Sequence, residues 1–115
     1  MVKILFVDDD EGVRISIPDF LKDLGHDVFA TEDIELAMFM AGRFPFDALI
    51  IDFNMPVMNG IDLINALRNH ESCSKCPAKV VLISDERPNN LPVNVKFFKK
   101  PFEIVDLEKI LTEAG

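Results

Sequence analysis

Polar side chains able to do chemistry stand directly after apolar runs of this sequence. Three consecutive carboxylates, Asp8, Asp9 and Asp10, follow the first run, and a single carboxylate, Asp52, follows a later one. Clustered carboxylates repel one another, and oxygen ligands without a histidine or cysteine nearby favour Mg²⁺ or Mn²⁺ over zinc or copper. The residue types therefore indicate a site for a hard divalent cation.

The acidic run also has a simpler explanation. Asp10 can cap a following helix, and its neighbours would favour the positive end of the helix dipole. Asp52 is harder to explain in this way, because it follows an apolar run at the edge of the core and a buried carboxylate is costly without a partner. Lys100 and a metal are the available partners.

A carboxylate beside such a metal can attack phosphorus and form an aspartyl-phosphate. Phosphoryl transfer then depends mainly on positioning and on charge neutralisation. The expected metal could neutralise one phosphoryl oxygen. Lys100 could contact a second oxygen and the Ser84 hydroxyl a third.

Five apolar runs rich in β-branched residues predict the strands that would position these groups. The runs are Val2–Val7, Val28–Ala30, Ala48–Ile51, Val80–Ile83 and Val95–Phe98. The first, third and fourth show no alternation, as expected for parallel strands covered by helices on both faces. Ligands of such sheets bind at the carboxyl ends of the strands, which is where the polar residues stand.

Helical patterns lie between the strands, with one apolar stripe each. The expected inner faces are Val13, Ile17, Phe20, Leu21 and Leu24; Ile34, Ala37, Met38 and Ala41; Ile61, Ile64 and Leu67; and Ile104, Leu107, Ile110 and Leu111. The last three helices are expected over Glu32–Arg43, Asn59–Asn69 and Glu103–Glu113. Alternating strands and helices imply right-handed crossovers and a doubly wound α/β sheet.

The second helix has apolar residues to spare. Leu36, Phe39 and Met40 lie off its inner stripe, which is consistent with a covering loop, with scattered surface apolar residues or with a partner surface.

Together these segments resemble the response-regulator receiver domains of two-component signalling, over nearly the whole chain. The segments that carry the resemblance are Ile4–Asp10, Leu49–Gly60, Val80–Ser84 and Phe97–Phe102. The resemblance implies one receiver domain over residues 1–115, with a flavodoxin-like five-stranded parallel sheet in the order 2-1-3-4-5. It implies a cytoplasmic, phosphorylation-dependent switch that turns over no external substrate but assists its own phosphoryl transfer and autodephosphorylation.

The resemblance also implies roles for individual residues. Asp52 would be the phosphoacceptor, and Asp8, Asp9, Asp52 itself and the backbone carbonyl of Asn54 would hold Mg²⁺ or Mn²⁺. Ser84 and Lys100 would contact the phosphoryl group, and a cis peptide bond would precede Pro101. The donor would be a phosphohistidine on a sensor histidine kinase or a histidine phosphotransfer protein, or a small acyl phosphate; the downstream protein is unspecified and a homodimer is left open.

Three features depart from the family's pattern. Asp85 follows Ser84, where the family usually has a small residue, and Phe97 has no hydroxyl at the aromatic switch position. Only 16 positions separate Ser84 from Lys100, about one and a half helical turns fewer than a standard fourth helix needs. Prolines and asparagines between Glu86 and Asn94 also disfavour a helix, so we expect the fourth helix to be shortened or missing and signalling to use another surface, with Leu36, Phe39 and Met40 as the candidate.

Composition excludes several classes of protein. The net charge of −8 argues against direct binding to nucleic acid. The apolar runs fall short of membrane-spanning length, and the start of the chain lacks the pattern of a secretory signal. Cys73 and Cys76 have the spacing of half a zinc site, but no second half accompanies them, so we interpret them as reduced cytosolic thiols.

Two other functions use similar residues. A haloacid-dehalogenase-like phosphatase also combines a nucleophilic aspartate, a hydroxyl, a lysine and Mg²⁺, but it needs a second aspartate two positions after the nucleophile, where this chain has Asn54. A pseudo-receiver acting purely as an interaction module typically lacks the aspartate or the lysine, and both are present here.

Overall fold

Five parallel strands form the centre of the molecule. The computed structural model describes residues 2–53, 59–69, 79–100 and 102–112. The strands are β1 (Lys3–Val7), β2 (Asp27–Thr31), β3 (Ala48–Asp52), β4 (Lys79–Ser84) and β5 (Val95–Lys99). They pair in the order β2-β1-β3-β4-β5, which confirms the predicted doubly wound sheet.

Within the described ranges, four helices cover the sheet: α1 (Glu11–Asp23), α2 (Ile34–Arg43), α3 (Gly60–Asn69) and α4 (Ile104–Thr112). Leu5, Val7, Leu49, Ile51 and Leu82 project from one face of the sheet and pack beneath α2 and α3. The alternate side chains of the same strands, including Ile4, Phe6, Ile50 and Ile83, project from the other face and pack beneath α1 and α4. The central strands are apolar at every position because both of their faces are buried.

The predicted inner faces of α2, α3 and α4 are confirmed. The predicted inner face of α1 is partly wrong. Leu21 is fully buried, whereas Phe20 and Leu24 are 47% and 49% exposed. Phe20 lies about 100° around the helix from Leu21, and the helix ends at Asp23, so Leu24 is its C-cap residue.

The surplus apolar residues of α2 do not form one free surface. Leu36 and Phe39 are 37% and 52% exposed, as the sequence allowed. Met40 instead packs against the core beneath α2. The guanidinium carbon of Arg43 lies 4.6 Å from the centre of the Phe39 ring and covers part of it. The expectation that Met40 belongs to an exposed patch is therefore wrong.

The segment of residues 85–94, between β4 and β5, contains no helix, as the sequence predicted. Leu91 packs into the core beneath α3. The side chain of Arg68 on α3 donates a hydrogen bond of 2.7 Å to the carbonyl of Val93. Asn94 then turns the chain with a φ of 63°, a left-handed conformation that asparagine tolerates better than most residues. A short anchored loop thus replaces a helix beside β5.

None of the helices within the described ranges is long and apolar enough to cross a membrane.

Candidate functional site

The carboxyl ends of four strands bring the polar side chains identified in the sequence to one rim. Asp8 follows β1, Asp52 ends β3, Ser84 ends β4 and Lys100 follows β5. The parallel register sets these positions side by side, since Val7 pairs with Ile51 and Asp52 pairs with Ile83. All four side chains were identified in the sequence by their positions at strand ends.

Three carboxylates meet at this rim. One carboxylate oxygen from each of Asp8, Asp9 and Asp52 lies within 4.8 Å of the others. Asp8 is completely buried and Asp52 is 4% exposed, whereas Asp9 is exposed to solvent. A cluster of this kind concentrates negative charge at a place that is open to solvent on the Asp9 side.

Lys100 supplies positive charge to the cluster. Its ammonium nitrogen lies 3.3 Å from Oδ1 of Asp52 and 3.8 Å from Oδ2 of Asp8. Burial lowers the pKa of this ammonium, but the carboxylates of Asp8 and Asp52 more than offset that effect, so the pKa of Lys100 is raised. Lys100 therefore stays charged at neutral pH and links two of the three carboxylates.

The Asp8 carboxylate has a strongly shifted pKa. Burial raises its pKa from 3.8 to about 6, and the nearby Asp52 and Asp9 charges add to the shift. The backbone N–H of Asp10, which donates a hydrogen bond of 2.9 Å to Oδ1, and the Lys100 charge oppose it. The remaining oxygen, Oδ2, is buried without a hydrogen-bond partner within the described residues.

This donor set fits a hard divalent cation. The three converging carboxylate oxygens are the ligand type that Mg²⁺ and Mn²⁺ prefer. The single ammonium of Lys100 leaves the cluster negative, and a cation would give the buried Oδ2 of Asp8, which has no hydrogen-bond partner in the described ranges, a close positive neighbour.

Asp10, the third acidic residue of the run, does not belong to the carboxylate cluster. Oδ1 of Asp10 accepts a hydrogen bond of 3.2 Å from the backbone N–H of Val13, so Asp10 caps α1. The simpler explanation of the acidic run is confirmed for this residue, and Asp8 and Asp9 are the two that join Asp52.

Ser84 is buried at the same rim, with 3% of its surface exposed. Its hydroxyl oxygen accepts a hydrogen bond of 3.3 Å from the backbone N–H of Glu86. A hydroxyl that accepts one bond can still donate its own proton, so Ser84 retains a donor for a ligand oxygen.

Three sequence expectations fall outside the described residues. They concern Asn54 as a metal ligand, the cis peptide bond before Pro101, and the role of Cys73 and Cys76.

Sequence reasoning missed two residues that support the site. Arg14 donates a hydrogen bond of 3.1 Å to the backbone carbonyl of Asp8. Gly60 begins α3 and donates a hydrogen bond of 2.9 Å from its N–H to the carbonyl of Phe53. A glycine at the start of a helix does not by itself indicate that its backbone lies close to a strand. The close approach of Gly60 to β3 depends on how α3 packs over the sheet.

Gly60→Ala is expected to destabilise the protein by about 2 kcal/mol, since overpacking of a buried site typically has costs of this size. An added Cβ would lie 2.7 Å from the backbone oxygen of Asp52 and 2.7 Å from Cδ1 of Leu82. Denaturant unfolding measures the change. The matched control is Gly42→Ala in α2, where an added Cβ meets nothing within 4 Å and helix propensity favours alanine. Equal stability changes for the two variants would contradict the close approach of Gly60 to Asp52.

Known proteins with similar sequences are response-regulator receiver domains and chemotaxis proteins. A family model of the response regulator receiver domain matches residues 4–112. The chemotaxis protein CheY of Pseudomonas aeruginosa is 39% identical over 89 residues, which cover 75% of this chain and 70% of that protein. The chemotaxis protein CheY-3 of Vibrio cholerae is 33% identical over 87 residues, covering 75% of this chain and 67% of the relative.

Solved structures show the same fold. The chemotaxis protein CheY4 of Vibrio cholerae superposes with a TM-score of 0.83 at 28% identity, covering 96% of both chains. The receiver domain of sensor histidine kinase PA1611 from Pseudomonas aeruginosa has a TM-score of 0.77 at 25% identity, covering 96% of this chain and 93% of the other. That structure has a magnesium ion coordinated in its active site cleft.

Proposed function

This chain belongs to the response-regulator receiver family of two-component signalling, and we propose that Asp52 is the residue that accepts its phosphoryl group. Receiver domains are phosphorylation-dependent signalling switches rather than enzymes that turn over an external substrate. The observation that carries the proposal is the contact between Asp52 and Lys100, at 3.3 Å, beside two further carboxylates.

The proposed reaction is the transfer of a phosphoryl group from a donor to Asp52. A carboxylate oxygen of Asp52 forms a bond to phosphorus as the bond between phosphorus and the donor atom breaks. With a phosphohistidine donor, the leaving group is the imidazole, which departs with the electron pair of the broken bond. The product is an aspartyl-phosphate, and its later attack by water would return the carboxylate and release inorganic phosphate.

Lys100 and Ser84 have distinct roles in this step. Phosphoryl transfer is accelerated mainly by groups that hold the reactants in place and neutralise the charge on the phosphoryl oxygens. Lys100 already lies between Asp8 and Asp52 and needs little movement to reach an oxygen on phosphorylated Asp52. Ser84 ends the neighbouring strand, and its free proton can be donated to a second oxygen.

Asp8, Asp9 and Asp52, together with the backbone carbonyl of Asn54, are proposed to hold Mg²⁺ or Mn²⁺. When bound, the cation supplies positive charge that offsets the clustered carboxylates and the incoming phosphoryl group. The buried Oδ2 of Asp8, which has no hydrogen-bond partner within the described residues, supports this assignment.

The proposed partners follow from the same chemistry. A sensor histidine kinase or histidine phosphotransfer protein would donate the phosphoryl group in the cytoplasm, and an unidentified protein would respond to the phosphorylated form. The response cannot use a helix between β4 and β5, because residues 85–94 form a loop. Two surfaces are candidates for binding the responding protein. One is this loop, in which the Arg87 guanidinium carbon lies 5.7 Å from the centre of the Phe97 ring, and the other is the exposed part of α2.

The proposal is tested by incubating the purified chain with acetyl phosphate, with Mg²⁺ or with excess chelator, and measuring intact mass. The expected result is a gain of about 80 Da, one phosphoryl group, with Mg²⁺ and little or none with the chelator. The added group should be released by hydroxylamine, which cleaves acyl phosphates but not phosphoserine. Absence of any label with Mg²⁺ would instead favour the pseudo-receiver, which acts only by binding.

A further inference from the structure

Three hydrogen bonds hold Asp8 at the end of β1. Its N–H donates a bond of 3.2 Å to the carbonyl of Thr31, the last residue of β2. Its carboxylate accepts a bond of 2.9 Å from the N–H of Asp10, and its carbonyl accepts one of 3.1 Å from Nη1 of Arg14. Of these three bonds, the one from Arg14 is made by a donor side chain, so a substitution can remove it without altering the backbone.

Arg14 reaches this carbonyl from the first turn of α1. Its backbone N–H donates a bond of 2.9 Å to the carbonyl of Asp10, the N-cap residue of the helix. The same Nη1 donates a second hydrogen bond, of 3.3 Å, to Oε2 of Glu32, which follows β2. The side chain of Arg14 is 19% exposed and that of Glu32 is 65% exposed. Arg14 therefore ties the start of α1 and the segment after β2 to the peptide that follows β1.

The carbonyl that Arg14 holds belongs to the peptide group between Asp8 and Asp9. The orientation of this group affects the direction in which the side chains on either side of it leave the backbone. Asp8 is completely buried, so the surrounding core also holds its carboxylate. Asp9 is exposed, and packing contributes little to its position. The approach of an Asp9 oxygen to within 4.8 Å of the other two carboxylates therefore depends mainly on this peptide.

We propose that Arg14 is a positioning residue of the metal site: it holds the peptide between Asp8 and Asp9 so that the Asp9 carboxylate stays turned toward Asp52. This inference rests on the proposed site for Mg²⁺ or Mn²⁺ and deepens it. Arg14 bonds a backbone carbonyl rather than a carboxylate of the cluster, so it acts through the ligands. Its contribution is to reduce the cost of ordering Asp9 when a cation binds, and it is measured as metal affinity.

The charge of Arg14 acts in the opposite direction. A guanidinium near a cation site repels the cation, and the largely exposed carboxylate of Glu32 offsets only part of that repulsion. Loss of the guanidinium would therefore tighten metal binding if charge alone mattered. It weakens metal binding if positioning dominates, so the sign of the change distinguishes the two effects.

The test measures the Mn²⁺ affinity of the parent and of Arg14→Met, which has a long side chain without a hydrogen-bond donor. Mn²⁺ is the probe because the free ion gives a sharp electron paramagnetic resonance signal that is lost on binding. Groups that hold metal ligands in place typically contribute about tenfold to a hundredfold to metal affinity. Arg14→Met is expected to raise the dissociation constant about tenfold, at the low end of this range, because Arg14 holds the backbone rather than a carboxylate.

Arg14→Lys keeps the charge and changes the geometry. The lysine ammonium lies one covalent bond nearer the backbone than Nη1 of Arg14, so it reaches the carbonyl of Asp8 less well. This variant is expected to raise the Mn²⁺ dissociation constant about threefold, between the parent and Arg14→Met. Such a partial rescue would link metal affinity to the hydrogen bond.

Two control variants separate this contact from general effects. Arg43→Met makes the same substitution at the last residue of α2, where the guanidinium covers the Phe39 ring and α2 has run away from the rim. Glu32→Gln weakens the exposed ion pair but leaves the hydrogen bond from Arg14 to Asp8. Both variants are expected to change the dissociation constant by less than about twofold.

Denaturant unfolding in chelator shows which variants are folded and completes the test. A purely structural role would lower the stability of Arg14→Met but leave the Mn²⁺ affinity of the folded variant at the parental value. That result, tighter binding by Arg14→Met, or an equal loss in Arg43→Met would overturn the proposal. If Arg14→Met does not fold, parental affinity in the folded Arg14→Lys variant would overturn it. A failure of the proposed metal site is distinct, since the parent itself would then bind no Mn²⁺.

Discussion

Asp52→Asn is expected to gain no phosphoryl group under conditions in which the parent gains about 80 Da. The amide has nearly the shape of the carboxylate but lacks its nucleophilic charge. The effect should be complete rather than partial, because Asp52 is the one carboxylate of the cluster that is proposed to accept the phosphoryl group. Intact-mass analysis after incubation with acetyl phosphate and Mg²⁺ measures it directly.

Asp10→Asn is the matched control for this experiment. It removes a charge from the same rim but leaves a side chain that can still cap α1, as Asp10 does by bonding the N–H of Val13. This variant should be labelled to the same extent as the parent. Labelling of Asp52→Asn at the parental level would disprove the assignment of Asp52, and loss of label in Asp10→Asn would show that the whole acidic run is needed.

The sheet and most of the rim could be predicted from sequence because the signals are local and agree. Runs such as Ala48–Ile51 are buried on both faces and therefore apolar at every position. A polar residue directly after such a run must lie at the carboxyl end of a strand, where parallel sheets gather their ligands. The absence of a helix between β4 and β5 could also be predicted, since Pro88, Pro92 and the asparagines between them oppose helix formation.

The errors occurred where tertiary packing decides. Periodicity extended the inner stripe of α1 to Leu24, but the helix ends at Asp23 and the stripe ends with it. Met40 lies off the stripe of α2 in an ideal helix, yet it packs against the core. The long, unbranched side chain of methionine can reach the core from a flanking position.

Two features of the site could not be read from spacing. The close contact of Gly60 with β3 depends on how α3 packs over the sheet. The difference between Asp8 and Asp9, neighbours of the same chemistry, depends on which one points into the protein: Asp8 is fully buried and Asp9 is exposed. That difference has a large consequence for stability.

Asp8→Asn is expected to stabilise the metal-free protein at pH 7. Burial raises the pKa of Asp8 to about 6, against 3.8 for the ordinary carboxyl, so folding at neutral pH penalises the charged form. A pKa difference of this size corresponds to about 3 kcal/mol, and the gain on neutralising the side chain should approach but not exceed that figure. Part of it is offset by the lost contact with Lys100, at 3.8 Å.

The sign of the pH dependence follows from the same shift. The folded protein binds a proton at Asp8 more tightly than the unfolded chain does. The stabilisation from this proton is fully present below about pH 4 and is lost as the pH rises through about 6. The parent should therefore become less stable relative to Asp8→Asn across this range, as measured by denaturant unfolding in chelator at several pH values. Groups that lie far from Asp8 titrate alike in both proteins and cancel in the difference.

Asp9→Asn completes the comparison, because both variants lose a proposed Mg²⁺ ligand but only one loses a buried charge. A ligand that binds only the folded state raises stability by mass action. Millimolar Mg²⁺ should stabilise the parent and have little effect on either variant, whereas in chelator only Asp8→Asn should gain substantially over the parent. Equal metal-free stability of the two variants would show that the burial of Asp8 carries no penalty. Undiminished stabilisation of Asp9→Asn by Mg²⁺ would remove Asp9 from the metal site.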